Sequence, residues 1–97
     1  MNKTGKWTGS PESIEYRPGA YTRLRNRPVK IYAGRAAPCP DAAAAPGTVI
    51  IASMGRIVVK CGQGAFEITE LQPENRRRMS AAGFLMGYQL KQGDRFE

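Results

Sequence analysis

Histidine is missing from this chain of 97 residues. Its absence excludes Ser-His-Asp and Cys-His nucleophilic arrangements, and most zinc sites with them. Cysteine is scarce. Cys39 stands between prolines in an expected loop and Cys61 ends an expected strand, with no CxxC spacing for a metal or a redox pair. The pair reads as two reduced thiols in a cytoplasmic protein. No apolar run approaches the roughly 18–20 residues a membrane span requires, and the opening Met1–Gly9 has no hydrophobic signal core. Neither a membrane partner nor secretion is expected. A GxxxxGK[ST] phosphate loop is lacking too. Gly62-Gln-Gly64 begins like a dinucleotide fingerprint, but Glu67 stands where the third glycine belongs, and the segment leads into a strand where a helix is required. Acidic residues are few. Neither Glu67 with Glu70 nor Glu70 with Glu74 forms a recognisable acid–base couple, so surface carboxylates are the expectation. The residues thus assign no metal, no cofactor and no catalytic group, and they argue against an enzyme.

What the chain has in excess is positive charge, +7 overall. Residues 17–60 carry all of it: Arg17, Arg23, Arg25, Arg27, Lys30, Arg35, Arg56 and Lys60 face Asp41 alone, while the flanking segments are each balanced. A one-sided basic segment in a small domain suggests a polyanionic partner, the alternative being a solvated surface that favours solubility. Ten of the fifteen cations are Arg, whose planar fork matches phosphate better than an ammonium does.

The pattern along the chain is mostly that of short strands. Residues 1–16 are rich in Gly, Ser, Thr and Pro and read as an irregular lead-in to a single domain, 17–97. In Ala20–Arg25, Tyr21, Arg23 and Arg25 alternate with Ala20, Thr22 and Leu24. Asn26-Arg27-Pro28 reads as a turn. Val29–Ala33 alternates again, Val29 and Ile31 inward and Lys30 and Tyr32 outward. Arg35–Pro46 reads as an Ala- and Pro-rich loop. Thr48–Ser53 and Arg56–Cys61 are β-branched runs joined by a Met54-Gly55 turn, and Ala65–Leu71 follows Gly62-Gln-Gly64. Five closely spaced strands suggest a small antiparallel barrel or sandwich. After a charged loop over residues 72–79, Ser80 reads as the N-cap of a short helix, Ala81–Met86, stopped by Gly87. Phe84 and Leu85 would hold the helix to the sheet, with Met79 in the core and Phe96 as a late anchor.

Two features point to nucleic acid. One is the outward face formed by Tyr21, Arg23, Arg25, Lys30 and Tyr32, where cations alternate with aromatic rings that can stack on bases. The other is Arg76-Arg77-Arg78, open between a phosphate contact and a solvated loop. With the remaining cations of the basic segment, the candidate RNA-binding residues are Tyr21, Arg23, Arg25, Arg27, Lys30, Tyr32, Arg35, Arg56, Lys60, Arg76, Arg77 and Arg78.

Six segments in order carry a family pattern: Arg17-Pro-Gly-Ala-Tyr-Thr22, Val29-Lys-Ile-Tyr32, Ala45-Pro-Gly-Thr48, Val59-Lys-Cys-Gly-Gln-Gly64, Ile68-Thr-Glu-Leu-Gln72 and Arg78-Met-Ser-Ala-Ala-Gly-Phe-Leu-Met-Gly87. Over residues 17–97 the chain resembles the C-terminal domain of methionyl-tRNA formyltransferase. The resemblance implies a small OB-like antiparallel β-barrel with one short C-terminal helix, which is mainly β. In that family this domain helps to hold initiator tRNA for a separate catalytic domain, whose active-site Asn, His and Asp have no counterpart here. The polar stretch Met1–Tyr16 also stands where the family has a helical segment. The implied function is non-catalytic binding of RNA, with tRNA the RNA in question. The alternative is a protein-interaction module that associates with a separate formyltransferase chain or another partner.

Overall fold

The computed structural model describes residues 20–25, 27–37, 44–62 and 64–96. The lead-in 1–16, with Trp7, lies outside them, as do Arg17 and Cys39, and the side chain of Tyr21 is likewise not described.

Among the described residues the chain forms β1 (Ala20–Leu24), β2 (Arg27–Ala37), β3 (Val49–Ser53), β4 (Arg56–Lys60), β5 (Ala65–Pro73), β6 (Met79–Ser80) and one helix, α1 (Ala81–Gly87). The strands make one antiparallel sheet in the order β1-β2-β5-β4-β3, with β6 continuing the β4 side of β5. The sheet curls into a half-barrel, in keeping with the mainly β, OB-like expectation.

Alternation explains the curl. Ile31, Ile57, Val59, Phe66, Ile68 and Leu71 point to the concave side and are fully buried there, with Phe84 of α1 and Phe96 of the tail. Burying each such side chain stabilises the fold by about 1.5–3 kcal/mol. β4 is buried on both sides, because Val58 packs on the opposite face with Ile50 and Ala65. A second small apolar cluster therefore backs one half of the sheet. β2 bends at irregularities around Ala33, and Gly34 lets it approach β5. A Cβ at Gly34 would lie 2.6 Å from the Glu67 carbonyl oxygen and closer still to the Phe66 ring.

The tail closes the open side. Leu24 of β1 bridges to Phe96, and Thr48 bridges to Arg95. The Val49 N–H donates to the Asp94 carbonyl at 2.7 Å, and the Phe96 N–H to the Gly47 carbonyl at 2.8 Å. The last residues thus join the two edge strands, which would otherwise expose unpaired backbone.

Several boundaries differ from expectation. Leu24 pairs with Arg27, so Arg27 and Pro28, read as turn, belong to β2. β2 runs on to Ala37 through residues read as loop, because Gly34–Ala37 find partners on β5. The charged stretch 72–79 holds the end of β5 and the start of β6. Met54-Gly55 is the expected turn, with φ of 53° and 75°, as a tight hairpin requires. The helix begins where the cap predicts: Ser80 Oγ accepts from the Gly83 N–H at 3.1 Å. Phe84 is buried, and Leu85 and Met79 are partly buried against the core.

Candidate nucleic-acid interface

Most of the candidate residues whose side chains are described separate into two groups on the non-core face of the sheet, Arg25 and Arg27 excepted. Cross-strand pairing assembles the first. Tyr21 opposes Lys30, which opposes Gln72, and Arg23 opposes Pro28. Directly opposed residues share a face, so Arg23, Lys30, Tyr32 and Gln72 lie together, the reverse of the face that buries Thr22, Leu24, Val29 and Ile31.

The triple-arginine segment joins this face rather than forming a separate patch. The Arg78 guanidinium lies 4.5 Å from the centre of the Tyr32 ring, a cation–π distance, and its Nε donates to Glu70 at 2.8 Å. The Tyr32 hydroxyl donates to Gln72 Oε1 at 2.9 Å, and Gln72 Nε2 donates to the Arg76 carbonyl at 2.7 Å. Tyr32 is thereby fixed, with a guanidinium over one side of its ring. Arg78 is held as a positioning group, while Arg76 and Arg77 extend exposed from the same turn.

Between the β1–β2 hairpin, the β5–β6 turn and the end of α1 lies a cleft of about 430 Å³. Leu24, Val29, Phe84 and Tyr88 contribute its apolar surface, Pro28 and Pro73 its walls, and Arg27, Glu74 and Arg76 its rim. The Phe84 and Tyr88 rings stack with centroids 4.4 Å apart and planes 5° from parallel. A smaller depression, about 220 Å³, adjoins it beside Lys30 and Gln72 and shares Pro28 and Pro73. Arg27 pairs with Glu74 at 3.8 Å with both side chains well exposed, so solvent screens that pair. Arg23, Arg76 and Arg77 make no ion pair among the described residues.

Arg25 departs from the expected face. Its φ is 53°, so it sits past the strand end and turns towards the tail. There Nη2 donates to the Gln89 carbonyl at 2.6 Å and to Asp94 Oδ2 at 2.9 Å. The same carboxylate oxygen accepts from the Lys91 N–H at 3.0 Å. Arg25 is a clamp on the C-terminal loop.

Arg35 and Arg56, gathered around Glu67, and Lys60 on the same strand as Arg56 form the second group. Glu67 is not a surface carboxylate: it is only 6% exposed. Val58 opposite it and Ala65 beside it belong to the second apolar cluster, which removes water from that stretch of β5. Arg56 donates to Glu67 at 3.2 Å and Arg35 at 3.4 Å. Hydrogen bonding from Arg56, with attraction from both guanidiniums, holds the Glu67 carboxyl below its ordinary range against the opposing effect of burial. The Arg56 guanidinium is shifted upward by the same contact. Lys60 is 5% exposed, with its ammonium on the Cys61 and Gly62 carbonyls, and so offers nothing to a surface ligand. No side-chain alternation would have separated these three from the rest. The roles of Arg35 and Arg56 depend on a buried acid 32 and 11 residues away, and that of Lys60 on carbonyls just past the end of its own strand.

The sequence matches the family model for the formyl transferase C-terminal domain over residues 12–89. The chain belongs to the formyl transferase C-terminal domain family. That match begins within the stretch read as lead-in. The chain is 47% identical to methionyl-tRNA formyltransferase of Thiobacillus denitrificans over 80% of its length and 25% of that protein. The corresponding enzyme of Bdellovibrio bacteriovorus is 36% identical over 91% of the chain and 30% of its own length. That of Myxococcus xanthus is 40% identical over 78% and 23%. The chain thus spans about a quarter of the length of these relatives, and the part it matches is their C-terminal domain. No helix among the described residues is long and apolar enough to cross a membrane, and no described group of His, Cys, Asp and Glu could hold a metal ion.

Proposed function

We propose that this formyl transferase C-terminal domain, residues 17–97, is a non-catalytic module that binds tRNA in the cytoplasm. One observation carries the reading. Arg23, Arg76 and Arg77, exposed guanidiniums that make no ion pair among the described residues, lie with Lys30 and Tyr32 on the half of the sheet that the second apolar cluster does not back. Exposed cations beside an aromatic ring suit a phosphate backbone with accessible bases or riboses. The relatives are methionyl-tRNA formyltransferases, which supplies the choice of tRNA. Catalysis of formyl transfer is not part of the proposal, because no described cluster offers an acid–base couple.

The test is a tRNA titration at several salt concentrations. If Arg23, Arg27, Lys30, Arg76 and Arg77 neutralise ~4–5 phosphates, log affinity falls with log salt at a slope of roughly −3 to −4. Replacing Arg23, Arg76 and Arg77 together with Ala flattens the slope by about 2 units and weakens all RNAs alike, since phosphate contacts position without reading sequence. Absence of tRNA binding at low salt would overturn the reading.

A second reading rests on a different surface. Met54 and Met86 are 95% and 88% exposed. The Met54-Gly55 turn lies against Ala82 of the helix that carries Met86. Exposed thioethers suit an adaptable protein contact, here with a separate formyltransferase chain. Co-sedimentation with a formyltransferase catalytic domain, lost in Met54→Lys with Met86→Lys, would favour it.

A further inference from the structure

Beside the basic face, the cleft at the Phe84–Tyr88 pair is built differently from the face itself. Its volume, about 430 Å³, falls within the roughly 300–1,000 Å³ of small-molecule sites. Phe84 is buried and stacks in parallel on half-buried Tyr88, so the orientation of the Tyr88 ring is set by a core side chain. Pro28 and Pro73 give the walls little freedom. At the rim, Arg76 makes no ion pair among the described residues, and Arg27 meets Glu74 only loosely. Glu74 is acceptor-only. A planar π-surface, guanidiniums for an anion and one acceptor for a hydroxyl or amine make up the complement of a nucleotide. A bare phosphate would leave the aromatic and apolar surface unused.

We propose that this cleft receives one unpaired nucleotide of a bound RNA strand, its base against Tyr88 and its phosphate between Arg27 and Arg76. The inference rests on the RNA-binding reading and adds what phosphate contacts alone cannot supply, a preference for unpaired over duplexed RNA. A paired base keeps both faces in its own stack, and a duplex presents only phosphates and riboses at this rim.

The experiment compares an RNA hairpin with an open loop against a blunt RNA duplex of the same number of phosphates. The hairpin should bind roughly tenfold tighter, the effect of one stacked base. With 2-aminopurine in the loop, fluorescence should be quenched when the unaltered protein binds. Tyr88→Phe should keep the preference and Tyr88→Leu should abolish it. Arg27→Ala with Arg76→Ala, both at exposed positions, should reduce it without disturbing the fold. Equal affinity for hairpin and duplex, or an unquenched loop probe on bound RNA, would overturn the cleft proposal alone. Binding of neither RNA at low salt would overturn the RNA-binding reading and the cleft with it. If 5′-AMP shifts the Phe84 and Tyr88 resonances while hairpin and duplex bind equally, the occupant is a free mononucleotide and the proposal fails.

Discussion

Single residues decide more here than their chemistry suggests. Gly34 occupies a strand interior, where glycine ordinarily weakens pairing. It is needed because the Phe66 ring and the Glu67 carbonyl fill the space of a side chain. Gly34→Ala should destabilise by about 1–3 kcal/mol, the usual penalty of overpacking, read as a lower urea midpoint. A variant as stable as the parent would mean that the Phe66 ring can turn aside without cost. Glu67 shows the converse, an ionised group inside. Its folded-state pKa is depressed below the ordinary 4.5, chiefly by the Arg56 hydrogen bond. A depressed carboxylate contributes stability that is present above its unfolded pKa and is lost as pH falls through the folded one. Denaturation midpoints should therefore drop as pH is lowered from about 5 to below 4, and Glu67→Gln should make that decline shallower. An unchanged acid limb in the Gln variant would contradict the assignment.

At the scale of elements, the helix is too short to stand alone. α1 covers only Ala81–Gly87, with no acidic residue in its first turn and no basic one in its last, so neither charge nor length supports it. Two contacts do. Ser80 caps the Gly83 N–H, and Phe84 anchors the helix in the core. Ser80→Ala should cost about 1 kcal/mol, and Ser80→Asp should restore most of that loss in thermal melts. The cap was legible in the sequence because capping is local chemistry between residues three apart. Strand ends were not. Nothing in Gly34-Arg-Ala-Ala37 marks a strand, and only pairing with Ala65–Ile68 makes it one. The short β6 was hidden in the same way, since it exists through Glu70 and Leu71.

The whole molecule depends on a seam made by its final residues. Phe96 is fully buried, and its backbone joins the start of β3 while bridging to the end of β1. Arg25 holds the same loop through Gln89 and Asp94. Phe96→Ala should destabilise by about 3–5 kcal/mol, as other buried Phe truncations do. It should also raise hydrogen exchange at both β1 and β3, two strands far apart in the sheet order. Faster exchange at β3 alone would show that the tail does not couple the edges.

Local alternation, turn chemistry and net charge are properties of neighbours in sequence. By themselves they determined five strands, the Ser80 cap, the inward Val29 and Ile31, and a basic excess confined to residues 17–60. The ordered family segments identified the class of domain. Which cations remain available was decided only by the tertiary structure. Arg25 was taken by Asp94, Arg56 and Arg35 by a buried Glu67, and Lys60 by carbonyls at the end of its own strand. Arg78 was drawn onto Tyr32, merging two patches that lie far apart along the chain. The reason is physical. A side chain's direction follows from its own φ and ψ, but its partner and its access to water follow from strands that meet only when the sheet curls.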